Sequence, residues 1–186
     1  MKILITGCYG LIGSNLCKKL LPKNKIIGID NFSSGNKNTK KINKIHFFSG
    51  SITNEKVLKE SFKLKPDIVI HTAANSGFNG SSINNQEKEL DTNVKSTIKL
   101  LKFSKKNNVK QFIFLSSSCV YGNGSLKKGF DEKSKIELDT PYAISKFSAE
   151  EYVKFYSKLF SLDYSILRIF NTYGPGEFKK KYNNVI

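Results

Sequence analysis

The chain has 186 residues, 39% hydrophobic and 12% aromatic, which excludes a disordered chain and suffices for one domain with a sizeable core. Its formal charge is +16, yet nearly all the basic residues are lysines scattered along the chain, with Arg168 the sole arginine. That argues against a specific nucleic-acid reader, which uses arginine for bidentate contacts, and leaves attraction to phosphorylated small molecules.

Cys8, Cys17 and Cys119 have neither metal-ligand spacing nor a disulfide framework, so no metal is expected and a reducing cytoplasm is. Leu4–Cys8 resembles a lipoprotein cleavage box, but seven residues before Cys8 are too few for a signal peptide. No apolar run approaches the roughly 20 residues that span a membrane.

In chain order, Lys2–Thr6 reads as a short buried strand that runs into Gly7-Cys8-Tyr9-Gly10-Leu11-Ile12-Gly13. A helix from Ser14 to Leu21 follows, then a second apolar run, Lys25–Asp30, closed by an acid. Strand, glycine turn, helix, strand and acid form the dinucleotide-binding fingerprint in Gly-x-x-Gly-x-x-Gly spacing. Gly7 permits the tight turn, Gly10 lets the backbone approach a pyrophosphate, and Gly13 lets helix and strand pack closely. The helix N-terminus faces the phosphates with its partial positive charge. Asp30 accepts from the adenosine ribose hydroxyls and repels a 2′-phosphate, so NAD is favoured over NADP.

Asn31–Lys41 reads as a polar loop, and Ile45–Phe48 as a strand. Thr53 is a candidate cap for a helix with Val57, Leu58, Ser61 and Phe62 on its inner face. Ile68–His71 is a buried strand, and Thr72-Ala73-Ala74-Asn75 is a small-residue exit that lets something flat approach the backbone. Ser76–Asn85 reads as an exposed loop. Gln86–Lys106 is expected to be one long amphipathic helix with Leu90, Val94, Ile98 and Leu101 inward. Asn93 lies on that stripe, either to hold a water or backbone group or as a neutral packing residue.

Val109–Leu115 reads as the strand that delivers Ser116, Ser117 and Ser118. Thr140 is a good N-cap and Pro141 fits the first helical position, so a helix should run from Pro141 to Phe160. It places Tyr142 and Lys146 one turn apart on one face. An ammonium beside a phenol favours phenolate, and the tyrosine pKa is expected to fall from about 10 towards neutrality. Such a tyrosine exchanges protons with a sugar or alcohol hydroxyl, and Ser117 orients the substrate. Leu162–Phe170 is the last strand, followed by the turn Asn171-Thr172-Tyr173-Gly174-Pro175-Gly176 and a basic tail. The alternation throughout implies an α/β fold: a doubly wound, mainly parallel Rossmann sheet with helices on both faces. Ligands then belong at the carboxyl ends of the strands.

These segments resemble the extended short-chain dehydrogenase/reductase family, in its NAD-dependent epimerase/dehydratase branch acting on nucleotide sugars. The resemblance rests on Thr6–Gly13, Asp30-Asn31-Phe32, His71–Ala74, Asn93-Val94, Ser116–Gly122, Tyr142–Lys146 and Leu167–Pro175. It implies that Ser117, Tyr142 and Lys146 are catalytic, with Tyr142 the base and Lys146 lowering its pKa and holding the nicotinamide ribose. It implies a cofactor site of Gly7, Tyr9, Gly10, Leu11, Ile12, Gly13, Asp30, Asn31 and Ser34. Ser51, Ile52, Thr72, Ala73, Ala74, Asn93 and Phe170 continue that site, with Tyr142 and Lys146. The nucleotide-sugar substrate would meet Ser117, Ser118, Tyr142 and Asn171.

The implied reaction is a 4-epimerisation that begins with oxidation of a sugar hydroxyl. Dehydratases and decarboxylases of the family carry acids where this chain has Ser118 and Cys119, so they rank lower. Cys119 also stands where the GDP-fucose synthase type has a catalytic cysteine, while that type prefers NADP. Ser51 replaces the acid that often contacts adenine. Family members carry a further C-terminal part that binds the sugar nucleotide. Residues 1–175 are therefore expected to be the NAD-binding domain and 176–186 the start of a substrate-binding region, with the chain a fragment or truncated product. Homodimerisation through the two long helices is common in the family. The alternatives are a non-catalytic dinucleotide-binding module and a basic nucleic-acid binder.

Overall fold

The computed structural model describes residues 1–33, 42–75, 85–122 and 129–175. Six strands form one sheet in the order β3-β2-β1-β4-β5-β6. They are β1 (Lys2–Thr6), β2 (Lys25–Asp30), β3 (His46–Ser49), β4 (Ile68–His71), β5 (Gln111–Ser117) and β6 (Asp163–Ile169). Every pairing is parallel. The order reverses between β1 and β4, which is where an open α/β sheet leaves a crevice above its strand ends.

Successive side chains of a strand point to opposite faces, and the core divides accordingly. Ile3 and Ile5 of β1 join Cys17 of α1 (Leu11–Leu20) on one face. Leu4 joins Leu58 and Phe62 of α2 (Glu55–Phe62) on the other, with Leu100, Leu101, Ala149 and Val153. The last four belong to α4 (Ser96–Lys106) and α5 (Pro141–Phe160). Helices therefore cover both faces, as the alternation implied.

Several boundaries differ from the expected ones. α1 begins at Leu11, straight after Gly10, so Gly13 is inside it. The cap of α2 is Asn54, whose side chain accepts from the Lys56 N–H at 3.0 Å. Thr53 instead pairs its hydroxyl with Ser51. β5 continues through Ser116 and Ser117.

The long helix expected over 86–106 is not uniform. A four-residue turn α3 (Gln86–Glu89) leads into a π-helical turn, Leu90–Lys95, before α4. The wider turn changes the face each residue presents, and Leu90, expected inward, is exposed. β6 pairs with β5 alone among the described residues, and its Tyr164 and Leu167 stay partly exposed. Among the described residues no helix is long and apolar enough to cross a membrane. Most of the 76–85 loop and the tail from 176 lie outside the described residues.

Candidate functional site

The turn after β1 is built by its glycines. Gly7 has φ +68°, and a Cβ there would come within 3.0 Å of the Ala73 backbone. A Cβ on Gly13 would lie 2.1 Å from the Gly7 carbonyl oxygen, so only glycine lets α1 start this close to the strand end. Gly10 caps α1 without a side-chain bond, and Ser14 N–H donates to the Gly10 carbonyl at 2.9 Å. The N–H groups of Leu11, Ile12 and Gly13 precede that bond, and no acid stands in the first turn. This is an open helix N-terminus suited to a phosphate.

Asp30 ends β2 and is held by two backbone donors. Tyr9 N–H reaches one carboxylate oxygen at 2.8 Å and Phe32 N–H the other at 2.7 Å. Each oxygen keeps a lone pair for a ribose hydroxyl. A crevice of about 260 Å³ runs over these groups. Gly7, Gly10, Leu11, Ile12 and Gly13 form its phosphate end, and Asp30, Asn31, Ser51 and Ile52 its far end. Thr72, Ala73 and Ala74 form the β4 wall, and Tyr142 closes the side towards α5.

Four expected cofactor residues do not line this crevice. The Tyr9 ring is buried against Phe32 and Phe47, each at 5.0 Å between centroids. Asn93 and Lys146 are buried behind the wall. Phe170 is 53% exposed and lies beside Tyr121 and Phe130. Ser34 lies outside the described residues. Ser33, Thr92 and Thr172 line the crevice and were missed, although the last two adjoin the singled-out Asn93 and Asn171. Asn171 itself is exposed.

Ser117, Tyr142 and Lys146 come together where β5 meets the start of α5. The Ser117 hydroxyl accepts from Cys119 N–H at 3.2 Å, which caps the single 3₁₀ turn Ser118–Tyr121. It also lies near enough to the Tyr142 phenol to favour its ionised form. Thr140 caps α5 by accepting from Ala143 N–H at 3.1 Å, and Pro141 follows it, as their types required. Lys146 donates to the Leu115 carbonyl at 2.6 Å and lies 4.2 Å above the Phe114 ring.

The ionisation expected of this pair is corrected by the structure. Burial pushes the Tyr142 phenol up to about 12, helped by Cys119 and Glu89 and opposed by the Ser117 hydroxyl. Burial pulls Lys146 down to about 7, against the attraction of Glu150. With its ammonium turned to Leu115 and itself desolvated, Lys146 does not draw Tyr142 towards neutrality in the cofactor-free protein.

Buried polar groups surround the trio. Asn93 accepts from Asn75 N–H at 2.8 Å, donates to the Asn75 carbonyl at 3.0 Å and donates to Ser145 at 2.9 Å. It is a backbone holder, one of the two roles its sequence position left open. His71 pairs with Thr6 at 2.8 Å and Thr97 at 3.0 Å. Because the Thr97 hydroxyl donates to the Asn93 carbonyl, His71 Nε2 carries the proton and Nδ1 accepts from Thr6.

Arg168, set aside in the sequence as a lone arginine, grips the fully buried Glu150 through Nε at 3.0 Å and Nη2 at 2.8 Å. Glu150 also accepts from Ser116, and Arg168 donates to the Tyr121 hydroxyl at 2.9 Å. Glu89 is 1% exposed, and neither of its carboxylate oxygens has a partner among the described residues. Nothing local in the sequence signals these partners.

An α/β sheet in this strand order, with a glycine-lined crevice and a Ser–Tyr–Lys group at its rim, defines a nucleotide-cofactor protein of the short-chain dehydrogenase/reductase type. The family model described as the NAD dependent epimerase/dehydratase family matches residues 3–186, and the chain belongs to that family. It is 36% identical over 187 residues to a putative UDP-glucose 4-epimerase of Methanocaldococcus jannaschii, covering 99% of this chain and 60% of that protein. It is 36% identical to a dTDP-D-glucose 4,6-dehydratase of Dictyostelium discoideum, covering 97% of this chain and 46% of the relative. The solved UDP-glucose 4-epimerase of Thermotoga maritima with UDP-glucose superposes with a TM-score of 0.86 at 34% identity, over 95% of this chain and 57% of that one. The chain thus spans less than two thirds of the length of these proteins. The cofactor of the family is NAD, and the residues present fit it: the cradle at Gly7 and Gly13 has no room for a side chain, and the Asp30 carboxylate keeps acceptor capacity in the crevice.

Proposed function

We propose that the chain is the NAD-binding part of a nucleotide-sugar 4-epimerase, with residues 1–175 as the cofactor domain and 176–186 as the start of a substrate-binding region. The observation that carries this reading is that Tyr142 lines the dinucleotide crevice, with the Ser117 hydroxyl near enough to favour its phenolate. Gly7 and Gly10–Gly13 hold the pyrophosphate, Asp30 and Asn31 the adenosine ribose, and Thr72–Ala74 the flat stretch of the cofactor. Bound NAD supplies the hydride acceptor and a positive charge that favours phenolate. Tyr142 takes the proton of the sugar hydroxyl and later returns it, while Ser117 fixes the direction of that hydroxyl. Lys146, behind the phenol, holds the end of β5 through the Leu115 carbonyl.

Epimerisation is favoured over dehydration because the turn Ser118–Tyr121 carries no carboxylic acid to protonate a leaving hydroxyl. The substrate is a UDP-hexose, in line with the Thermotoga maritima relative solved with UDP-glucose. The test is to incubate the NAD-loaded full-length protein, of which this chain is the NAD-binding part, with UDP-glucose and separate UDP-galactose by chromatography. Tyr142→Phe should lower turnover by about 10²-fold or more while NAD stays bound. Bound NAD with no epimer formed would sink the epimerase reading.

We also propose a homodimer. Ile144, Tyr152, Phe155 and Leu159 of α5 are exposed at spacings of eight, three and four residues, which sets an apolar stripe along one helix face. Sedimentation equilibrium should return twice the chain mass, and Phe155→Glu should return the chain mass.

A further inference from the structure

Asn93 serves two elements with one side chain. It accepts from Asn75 N–H and donates to the Asn75 carbonyl at the exit of β4. It also donates to Ser145, whose hydroxyl donates to the Tyr142 carbonyl at 2.8 Å. The exit of β4 and the start of α5 are both walls of the crevice, through Ala73, Ala74 and Tyr142. So double a reach fixes where the Asn93 backbone must stand. That backbone lies in the wide turn Leu90–Lys95, where Ser96 N–H reaches back five residues to the Asp91 carbonyl. Turns of this kind are rare in helices, and this one is held from outside.

The hold comes from the sheet. His71 of β4 stands between Thr6 of β1, at 2.8 Å, and Thr97 of α4, at 3.0 Å. Thr97 passes the bond on to the Asn93 carbonyl at 2.7 Å. His71, Thr97, Asn93 and Ser145 are each at most 1% exposed, so a broken link stays unpaired. The Thr6 hydroxyl already accepts from Ala73 N–H at 3.2 Å, and Thr97 spends its proton on Asn93. The ring therefore fits as one donor and one acceptor on two sides. Leucine fills the same space with neither, while glutamine offers both on one amide.

We propose that His71 is a positioning residue for the crevice: it pins the wide turn through Thr97, and the pinned turn lets Asn93 set the distance between the β4 wall and Tyr142. This rests on the crevice being an NAD site. His71 does not itself line the crevice, so it acts on a dinucleotide only through what it holds.

The test is isothermal titration of the 186-residue protein with NAD, in which stability alone does not move the dissociation constant of a folded variant. His71→Leu should weaken binding by about threefold or more. Thr97→Val leaves the bond between His71 and Thr6 in place and should match His71→Leu within about twofold. His71→Gln should stay within about twofold of wild type. Asn93→Ala should weaken binding too, and adding His71→Leu to it should change the constant by no more than about twofold, because the turn then positions nothing. If His71→Leu does not fold, Thr97→Val takes its place in this cycle. Additive losses in the double variant, a Thr97→Val protein that binds like wild type, or a His71→Gln protein as weak as His71→Leu overturns the proposal alone. Wild-type protein that does not bind NAD overturns the NAD reading and this proposal together.

Discussion

Lys146 donates to the carbonyl of Leu115, so the buried ammonium is tied to the strand that ends at Ser117 rather than to the phenol one turn before it. The lysine thus holds the position of the serine, and the charge of the trio depends on what else enters the site.

The first consequence is a stability that rises with pH in the cofactor-free protein. The folded pKa of Lys146, about 7, lies below its ordinary 10.5. Between those values the unfolded chain holds a proton that the folded chain has released, so stability increases with pH. Well below pH 7 the cost of the buried charge is fully present. Wild-type protein should melt at higher temperature at pH 9 than at pH 7, and Lys146→Met should flatten that rise in a differential scanning calorimetry series.

Glu89 should add, behind burial and Cys119, to the cost of ionising Tyr142. Its carboxylate, together with the Cys119 thiol, opposes phenolate, while the Ser117 hydroxyl favours it. Glu89→Gln removes one opposing charge and keeps the size. The ultraviolet titration difference between Glu89→Gln and the Glu89→Gln/Tyr142→Phe double variant should therefore place the phenolate at lower pH than the same difference taken in the wild-type background.

Acid should destabilise the fold through His71. Burial and the nearby Lys146 charge depress its pKa from 6.5 to about 3. In that interval the unfolded chain takes up a proton that the folded chain refuses, so stability falls as pH drops below about 6.5. The urea midpoint of the wild type should fall between pH 7 and pH 5, and His71→Gln should lose part of that slope.

Arg168 should be a structural requirement. Glu150 is fully buried, and Arg168→Leu leaves its charge uncompensated, at a cost of about 3–5 kcal/mol. Arg168→Leu/Glu150→Gln should recover part of that loss in urea unfolding, since the stranded charge goes with the second substitution.

How much of this was legible in the sequence follows from where each cause lies. The glycine turn and the start of α5 were readable because their causes are local: Gly7 takes a positive φ, Gly13 meets the Gly7 carbonyl six residues earlier, and Thr140-Pro141 is a cap in itself. The trio was readable as a group because Tyr142 and Lys146 share a helix. Its charges were not, because burial and the Leu115 carbonyl are tertiary facts. The π-helical turn was hidden for the same reason. Its partners are Asn75 and Ser145, and an apolar period gives no sign of them. Arg168 and Glu150 lie eighteen residues apart on different elements, with no pattern to join them.

That wide turn at Leu90–Lys95 makes the chain sensitive to length rather than to residue type. Removing a single residue there would let the segment rewind as a regular helix with its two ends in nearly the same phase, because a wide turn is one residue longer than the regular turn it replaces. What would be lost is the seat that Asn93 gives to the Asn75 backbone and to Ser145. A one-codon deletion in this stretch would thus reach the site from behind, where substitution scanning of the rim would find nothing amiss.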